Sequence, residues 1–222
     1  MTVLKPTALT ILFTLMIGFT NQVSIKSEPD IKVIRANGIP NHSTGVFPNQ
    51  NNPNKIKPQF YHLKITNTPK ESEKITPIEK LPFGIALNGV LFDPNTAEYW
   101  NDDPSSGWNY NAFASTIQLG LDNHNAHVQP NGAYHYHGIP TGLSNTITSK
   151  NYVTHIGYAA DGFPIYNQYG YSNTMNPNSE IKHGFLTSTL NQSHSTWGLR
   201  FPCRSSCIPR SSRNFPYTQE PL

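Results

Sequence analysis

Residues 125–140 read N-A-H-V-Q-P-N-G-A-Y-H-Y-H-G-I-P, and no other stretch limits the possible folds so tightly. Pro130-Asn131-Gly132 is a turn in which each residue has a distinct part. Proline presets φ at the second turn position, asparagine tolerates the third, and glycine accepts the left-handed residue that follows. This combination predicts a three-residue hairpin loop closed by a glycine bulge. Closing the loop pairs Gln129 with Ala133, and therefore His127 with His135. Side chains alternate along a strand, so His135 and His137 share one face and Tyr134 and Tyr136 share the other. Directly opposed Cβ atoms lie roughly 4.5–5.5 Å apart. The register thus gathers His127, His135 and His137 on one face of one hairpin. Three imidazoles so placed can hold a metal and leave a coordination position open. The competing reading is a set of structural histidines bonded to backbone or tyrosine, with no metal. Register is the critical joint, because a slip of one residue would send His127 to the other face.

The same stretch carries a family resemblance. Tyr134-His135-Tyr136-His137 resembles the signature of the YHYH-domain family of secreted or surface proteins. The likeness extends to Asn41–Lys64, Phe83–Val90, Phe92-Asp93-Pro94 and Thr96–Trp100. It continues through Ser106–Tyr110, Ala126–Pro130 and Asp161–Tyr166, covering roughly Asn41 to Tyr171. These segments agree in order, which makes the resemblance specific. It implies a family but no particular activity. His124 departs from the acidic or amide residue that the resemblance implies at its place, so it stays outside the expected ligand set.

The chain has 222 residues, enough for one domain with a sizeable core. Only 13% of residues are charged, while Gly, Pro, Asn and Tyr are abundant. That balance suits short strands joined by ordered turns. Asn88-Gly89 and Asp161-Gly162 each lie between apolar runs and predict two-residue hairpins with both central residues at positive φ. Ile31–Ile34, Gln59–Thr66 and Tyr152–Ala160 read as strands, and Ile117–Leu121 as a strand feeding the histidine hairpin. Pro164 cannot donate to a ladder, so Phe163–Tyr166 belongs at a sheet edge. The expected fold is mainly β, a sandwich-like or irregular assembly of short antiparallel hairpins with little helix. The domain plan is an export signal over residues 1–24, a strand and loop extension over 25–80, the core over 81–172 and a divergent or truncated tail over 173–222.

Lys5 followed by the apolar run Ala8–Phe19 predicts that export signal, which is too short to span a bilayer. The expected address is secreted, cell-surface or periplasmic, with no membrane span once the signal is removed. The formal charge of +3 is concentrated in the last stretch, with Arg200, Arg204, Arg210 and Arg213. No basic face interleaved with aromatics appears elsewhere, which argues against nucleic acid. Cys203 and Cys207 can close a small disulfide loop or remain free thiols.

Imidazole suits a transition metal, zinc or copper first. Glu98 to Asp103 gathers three carboxylates that suit calcium, or else a solvated turn. Additional candidates near the histidine face are His155, His124, Asp122 and Asp161. Three functions follow: a metal-binding protein, a metal-dependent hydrolase with Asp122 or Asp161 as base, or an extracellular binding module presenting Trp100, Trp108 and the tyrosines. No nucleophile elbow, phosphate loop or H-E-x-x-H helix occurs.

Overall fold

A computed structural model of the protein describes residues 19–70, 82–106, 108–172 and 176–183. Among them the chain is mainly β, as the turn-rich sequence implies. The strands are β1 (Val23–Ser27), β2 (Ile31–Ala36), β3 (Tyr61–Thr66), β4 (Gly84–Ala86), β5 (Leu91–Phe92), β6 (Ala126–Val128), β7 (Tyr134–Tyr136), β8 (His155–Ala159), β9 (Pro164–Tyr166), β10 (Tyr169–Tyr171) and β11 (Ile181–His183). Two single turns of 3-10 helix, Trp100–Asp102 and Pro104–Ser106, are the helical content described. Cys203, Cys207 and the arginine-rich tail lie outside the described residues.

Strands β1-β2-β3 form an antiparallel meander, and β6-β7-β5-β4-β8-β9 form a six-stranded sheet. The larger sheet is mixed, because β5 runs parallel to β7 while its other pairings are antiparallel. Strand β9 is an edge, where Pro164 leaves no ladder bond unmade. The opposite edge is β6, whose Val128 carbonyl is capped by the side-chain amides of Asn52 and Asn54 at 3.0 and 2.8 Å. That cap protects an edge that would otherwise offer itself to another strand.

The period of two divides the large sheet into two buried faces. One face carries Phe92, Ala126, Val128, Tyr134, Tyr136, Ile156 and Ile165 into the main core. Loop residues Phe47, Ile56, Ile139 and Leu143 cover it. On the other face, Ile85, Leu91 and Tyr158 pack against Ile34, Ala36, Ile65 and Leu63 of the three-stranded sheet. The two sheets therefore stack, and they do so on the face that carries the histidines, since Leu91 stands opposite His135.

Three hairpin loops share one geometry. In Leu87-Asn88-Gly89, Pro130-Asn131-Gly132 and Ala160-Asp161-Gly162 the glycine N–H donates to the carbonyl three residues back, at 2.8–2.9 Å. The flanking pairs Ala86–Val90, Gln129–Ala133 and Ala159–Phe163 close each loop at 2.8–2.9 Å. The Asn or Asp Oδ1 accepts the N–H two residues on, at 3.3, 3.0 and 3.4 Å. Only the glycines carry positive φ, at 82°, 90° and 93°. The two-residue loops expected at Asn88-Gly89 and Asp161-Gly162 are thus three-residue loops of the kind expected at Gly132. An Asx side chain bonded forward stabilises ordinary negative φ at its own position and hands the left-handed step to glycine.

The expected strand at Ile117–Leu121 is not formed. Its carbonyls serve side chains instead, Leu119 O accepting from His127 Nδ1 at 2.7 Å and Gly120 O from Asn49 Nδ2 at 3.0 Å. Apolar alternation there reflects a loop laid along the sheet edge.

Candidate metal centre

The hairpin register is the one the turn dictates. His127 pairs with His135, flanked by Ala126–Tyr136 and Val128–Tyr134. All three histidines lie on one face, and their ligand-capable nitrogens fall within 4.8 Å of one another. His137 Nε2 sits 2.9 Å from His135 Nε2 and 3.0 Å from His127 Nε2. The rings meet edge to face or tilted, with centroids 4.6–4.7 Å apart. His135 and His137 are buried and His127 is half-buried.

Proton accounting shows what this arrangement favours. His127 Nδ1 faces the Leu119 carbonyl at 2.7 Å, and His135 Nδ1 faces the Ala133 carbonyl at 3.2 Å. A carbonyl can only accept, so these contacts favour the proton on Nδ1 of both rings, at His127 over the longer 3.3 Å approach of the Asn52 amide to the same nitrogen, and turn an Nε2 lone pair toward the centre. His137 Nδ1 is buried without a hydrogen bond of good geometry, although the Pro94 carbonyl is near enough to favour a protonated ring. A lone Nε2–H on His137 would have to serve two acceptors at once. A cation at the centre satisfies all three lone pairs. A tetrahedral ion with bonds of about 2.0–2.1 Å holds its nitrogens about 3.3 Å apart, within a few tenths of the two His137 contacts at 2.9 and 3.0 Å. Nδ1–H bonds to backbone carbonyls also fix the tautomer as in established metal sites.

Electrostatics point the same way. Burial pushes His135 down to about 3, helped by the neighbouring His127 and opposed by the Ala133 carbonyl. Burial holds His137 well below the usual histidine value, with His135 and His127 adding to the effect. His127 is lowered by burial too, against the Leu119 carbonyl and nearby carboxylates. The rings are neutral at physiological pH, as ligation requires.

A stability consequence follows with a definite sign. The unfolded chain binds a proton at His135 below about pH 6.5, while the folded chain resists it until about pH 3. Stability from this group is complete above pH 6.5 and is lost as pH falls toward 3. At pH 4.5 the metal-free protein is expected to lose roughly 2–3 kcal/mol through His135 alone. Urea midpoints at pH 7 and 4.5, for wild type and His135→Gln, measure it. An equal drop in both proteins would refute the assignment.

The other candidates lie elsewhere. Asp122 Oδ2 accepts from Tyr134 Oη at 2.7 Å and Gly45 N at 3.0 Å, and Oδ1 accepts from His124 N at 2.8 Å. That carboxylate organises the tyrosine side of the hairpin and is fully used there. His124 Nδ1 meets Thr141 Oγ1 at 2.8 Å, and its ring stands 4.4 Å from that of His42. Asp161 is exposed and caps its own turn. His155 bonds the Gly157 carbonyl at 2.9 Å between Tyr158 and Tyr166. The Glu98–Asp103 carboxylates form no metal-capable group, and Asp103 instead accepts from Ser105 N and Oγ.

Asp93 is the acid that sequence reasoning passed over. Its N–H bonds the Tyr136 carbonyl at 2.9 Å, which seats it beside His137 at the end of the parallel β5–β7 pair. Alternation from Leu91 puts its side chain on the histidine face. The carboxylate is buried, accepting from Asn95 Nδ2 at 3.3 Å and Gln129 Nε2 at 3.2 Å. Burial raises its pKa, against those hydrogen bonds and the nearby His127. Only the parallel pairing, which no local pattern announces, brings it here.

Gly132 fixes all of this without touching a ligand. A Cβ there would lie 2.6 Å from Lys57 Cβ, at a φ of 90°. Gly132→Val is expected to cost at least ~1–3 kcal/mol from backbone strain alone and to loosen the histidine register. Thermal unfolding and metal affinity check it, and wild-type values for both would refute it.

The fold and site define a class: a β-protein of two stacked sheets and a small β10-β11 ribbon, with a largely buried three-histidine group on one hairpin. The family model described as YHYH protein matches residues 62–214, well over half of the chain, and the chain belongs to that family. No curated protein and no solved structure is similar enough to match it.

Proposed function

We propose that the protein binds a transition metal ion, zinc or copper first, through Nε2 of His127, His135 and His137. The observation that carries this reading is the convergence of three neutral imidazoles, two of them with Nδ1 tied to a backbone carbonyl. Nitrogen ligation suits a borderline metal rather than calcium or magnesium. Three ligands leave a position for water or a small molecule. Elemental analysis of protein purified without chelator or histidine tag tests the reading, with about one ion per chain expected. A metal-free protein that also fails to take up zinc or copper would overturn it.

We further propose that the protein is exported. Lys5 and the apolar run to Phe19 support this, and the proposed cleavage is one that leaves Asn21 and β1 intact. Asn21 Nδ2 donates to the Asn88 carbonyl at 2.7 Å and to that of Ile39, and Val23–Ser27 pairs with β2 along its length. A cut after residue 24 would sever β1. The mature chain is therefore expected to start at about residue 19–21. Intact-mass measurement on native material decides, and a retained Met1 would count against export.

A further inference from the structure

A cavity of about 250 Å³ lies against the histidine face of the large sheet. Its walls include Leu91 of β5 and Asp93 just after it, Gln129 beyond β6, Ala133 and His135 of the β7 arm, and Tyr61 of the sheet stacked above. The parity of these positions is telling. Leu91 pairs with His135, and His135 with His127. Asp93, Gln129 and Ala133 each stand two residues from one of those three, so all of them project from the same face. His135 belongs both to this wall and to the metal-capable group. The carboxylate of Asp93 stands at the cavity but outside the ligand set, which comprises only the three imidazoles among the described residues.

We propose that this cavity is the ligand subsite of the metal centre. It takes a small neutral nitrogen base that fills the open coordination position with one atom and donates an N–H to Asp93 with another. The inference rests on the metal reading above. The chemistry of the wall selects this class. Gln129 Nε2 is committed to Asp93 Oδ2 at 3.2 Å, which leaves the Gln129 carbonyl as a second acceptor. Asn131 Oδ1 is held by Ala133 N at 3.0 Å within the turn. An anion would meet a buried carboxylate, whereas a neutral base with an N–H meets acceptors and a Lewis acid. The volume of about 250 Å³ accommodates a five-membered ring.

Imidazole and 1-methylimidazole separate the parts of this proposal. Both ligate through one ring nitrogen, and only imidazole retains an N–H on the other. The measurement is the visible spectrum of the cobalt(II)-loaded protein, titrated with each probe. Wild type is expected to bind imidazole about tenfold more tightly, the value of one charge-assisted hydrogen bond. Asp93→Ala should bring the two probes within about twofold of each other while keeping cobalt. Leu91→Phe, which fills the cavity without removing a hydrogen bond, should keep cobalt and lose both probes. Equal affinities in wild type would overturn the proposal, as would a preference that survives Asp93→Ala, or probe binding unchanged in Leu91→Phe. The wild-type ratio needs no variant to fold. Failure of wild type to bind cobalt, zinc or copper is a separate result that removes the metal reading itself.

Discussion

On the proposed metal reading, replacing His135 or His137 with alanine is expected to abolish metal uptake, while His62→Ala leaves it unchanged. Each of the two buried histidines supplies one of three nitrogens that converge within 4.8 Å. Losing one leaves two imidazoles and a widened hole, a site no borderline metal prefers. Changes to the outer partners of ligands already cost about 10–100-fold in affinity, so a lost ligand should cost more than ~100-fold. His62 is the matched control. It sits exposed on β3, across from Arg35, and takes no part in the cluster. Elemental analysis of all three variants, each checked for native circular dichroism, gives the comparison. Similar metal content in the three, with folding intact, would leave the histidines as structural residues. The protein would then be read as a binding module, whose exposed Trp100, tilted 5.3 Å from Tyr110, becomes the first place to probe.

The hairpin and its histidine face were legible in the sequence because the information is local. Pro130-Asn131-Gly132 sets a loop, the loop sets a register, and a period of two sets the face. The mainly β fold was legible for the same reason, from turn residues spaced among short apolar runs. The misread turns at Gly89 and Gly162 show the limit of a dipeptide rule. Asn-Gly and Asp-Gly fit two loop lengths, and the choice depends on how the loop meets its neighbours. Here a Cβ at Gly89 would lie 2.5 Å from Ala36 Cβ, and one at Gly162 2.5 Å from the Thr66 carbonyl. Both loops press against the three-stranded sheet, a contact invisible in either hairpin alone. Asp93 was missed because a parallel pairing of residues 44 positions apart places it, and parallel partners carry no turn signature. Asp122 and His124 were credited with closeness they do not have. They are near the hairpin in sequence, but Asp122 is bonded to Tyr134, on the face the histidines avoid. The Ile117–Leu121 alternation misled because carbonyls can be satisfied by asparagine and histidine side chains as well as by a ladder.

The two faces of the hairpin should also separate in energy, and Tyr136 is where this is sharpest. Its side chain is fully buried, with rings of Phe92 and Tyr134 each 5.8 Å away. Its hydroxyl accepts from Asn88 Nδ2 at 2.9 Å and meets His42 Nε2 at 2.7 Å. Tyr136→Ala empties a large volume in the main core and is expected to cost roughly 3–5 kcal/mol. Tyr136→Phe keeps the ring and removes only the hydroxyl. Asn88 Nδ2 retains Asn41 Oδ1 at 3.0 Å, so the unmet partner is His42 and the cost should be about 1–3 kcal/mol. Neither change reaches His127, His135 or His137, which lie on the opposite face of the hairpin. Metal stabilises the folded state by an amount set by its affinity and concentration. If the faces are independent, the loss caused by Tyr136→Ala should be the same with and without metal, within about 0.5 kcal/mol. Urea unfolding of wild type and both variants, each metal-free and metal-loaded, closes that cycle. A coupling well beyond 0.5 kcal/mol would mean that tyrosine packing holds the imidazoles in place. The site would then be a property of the whole hairpin rather than of one face.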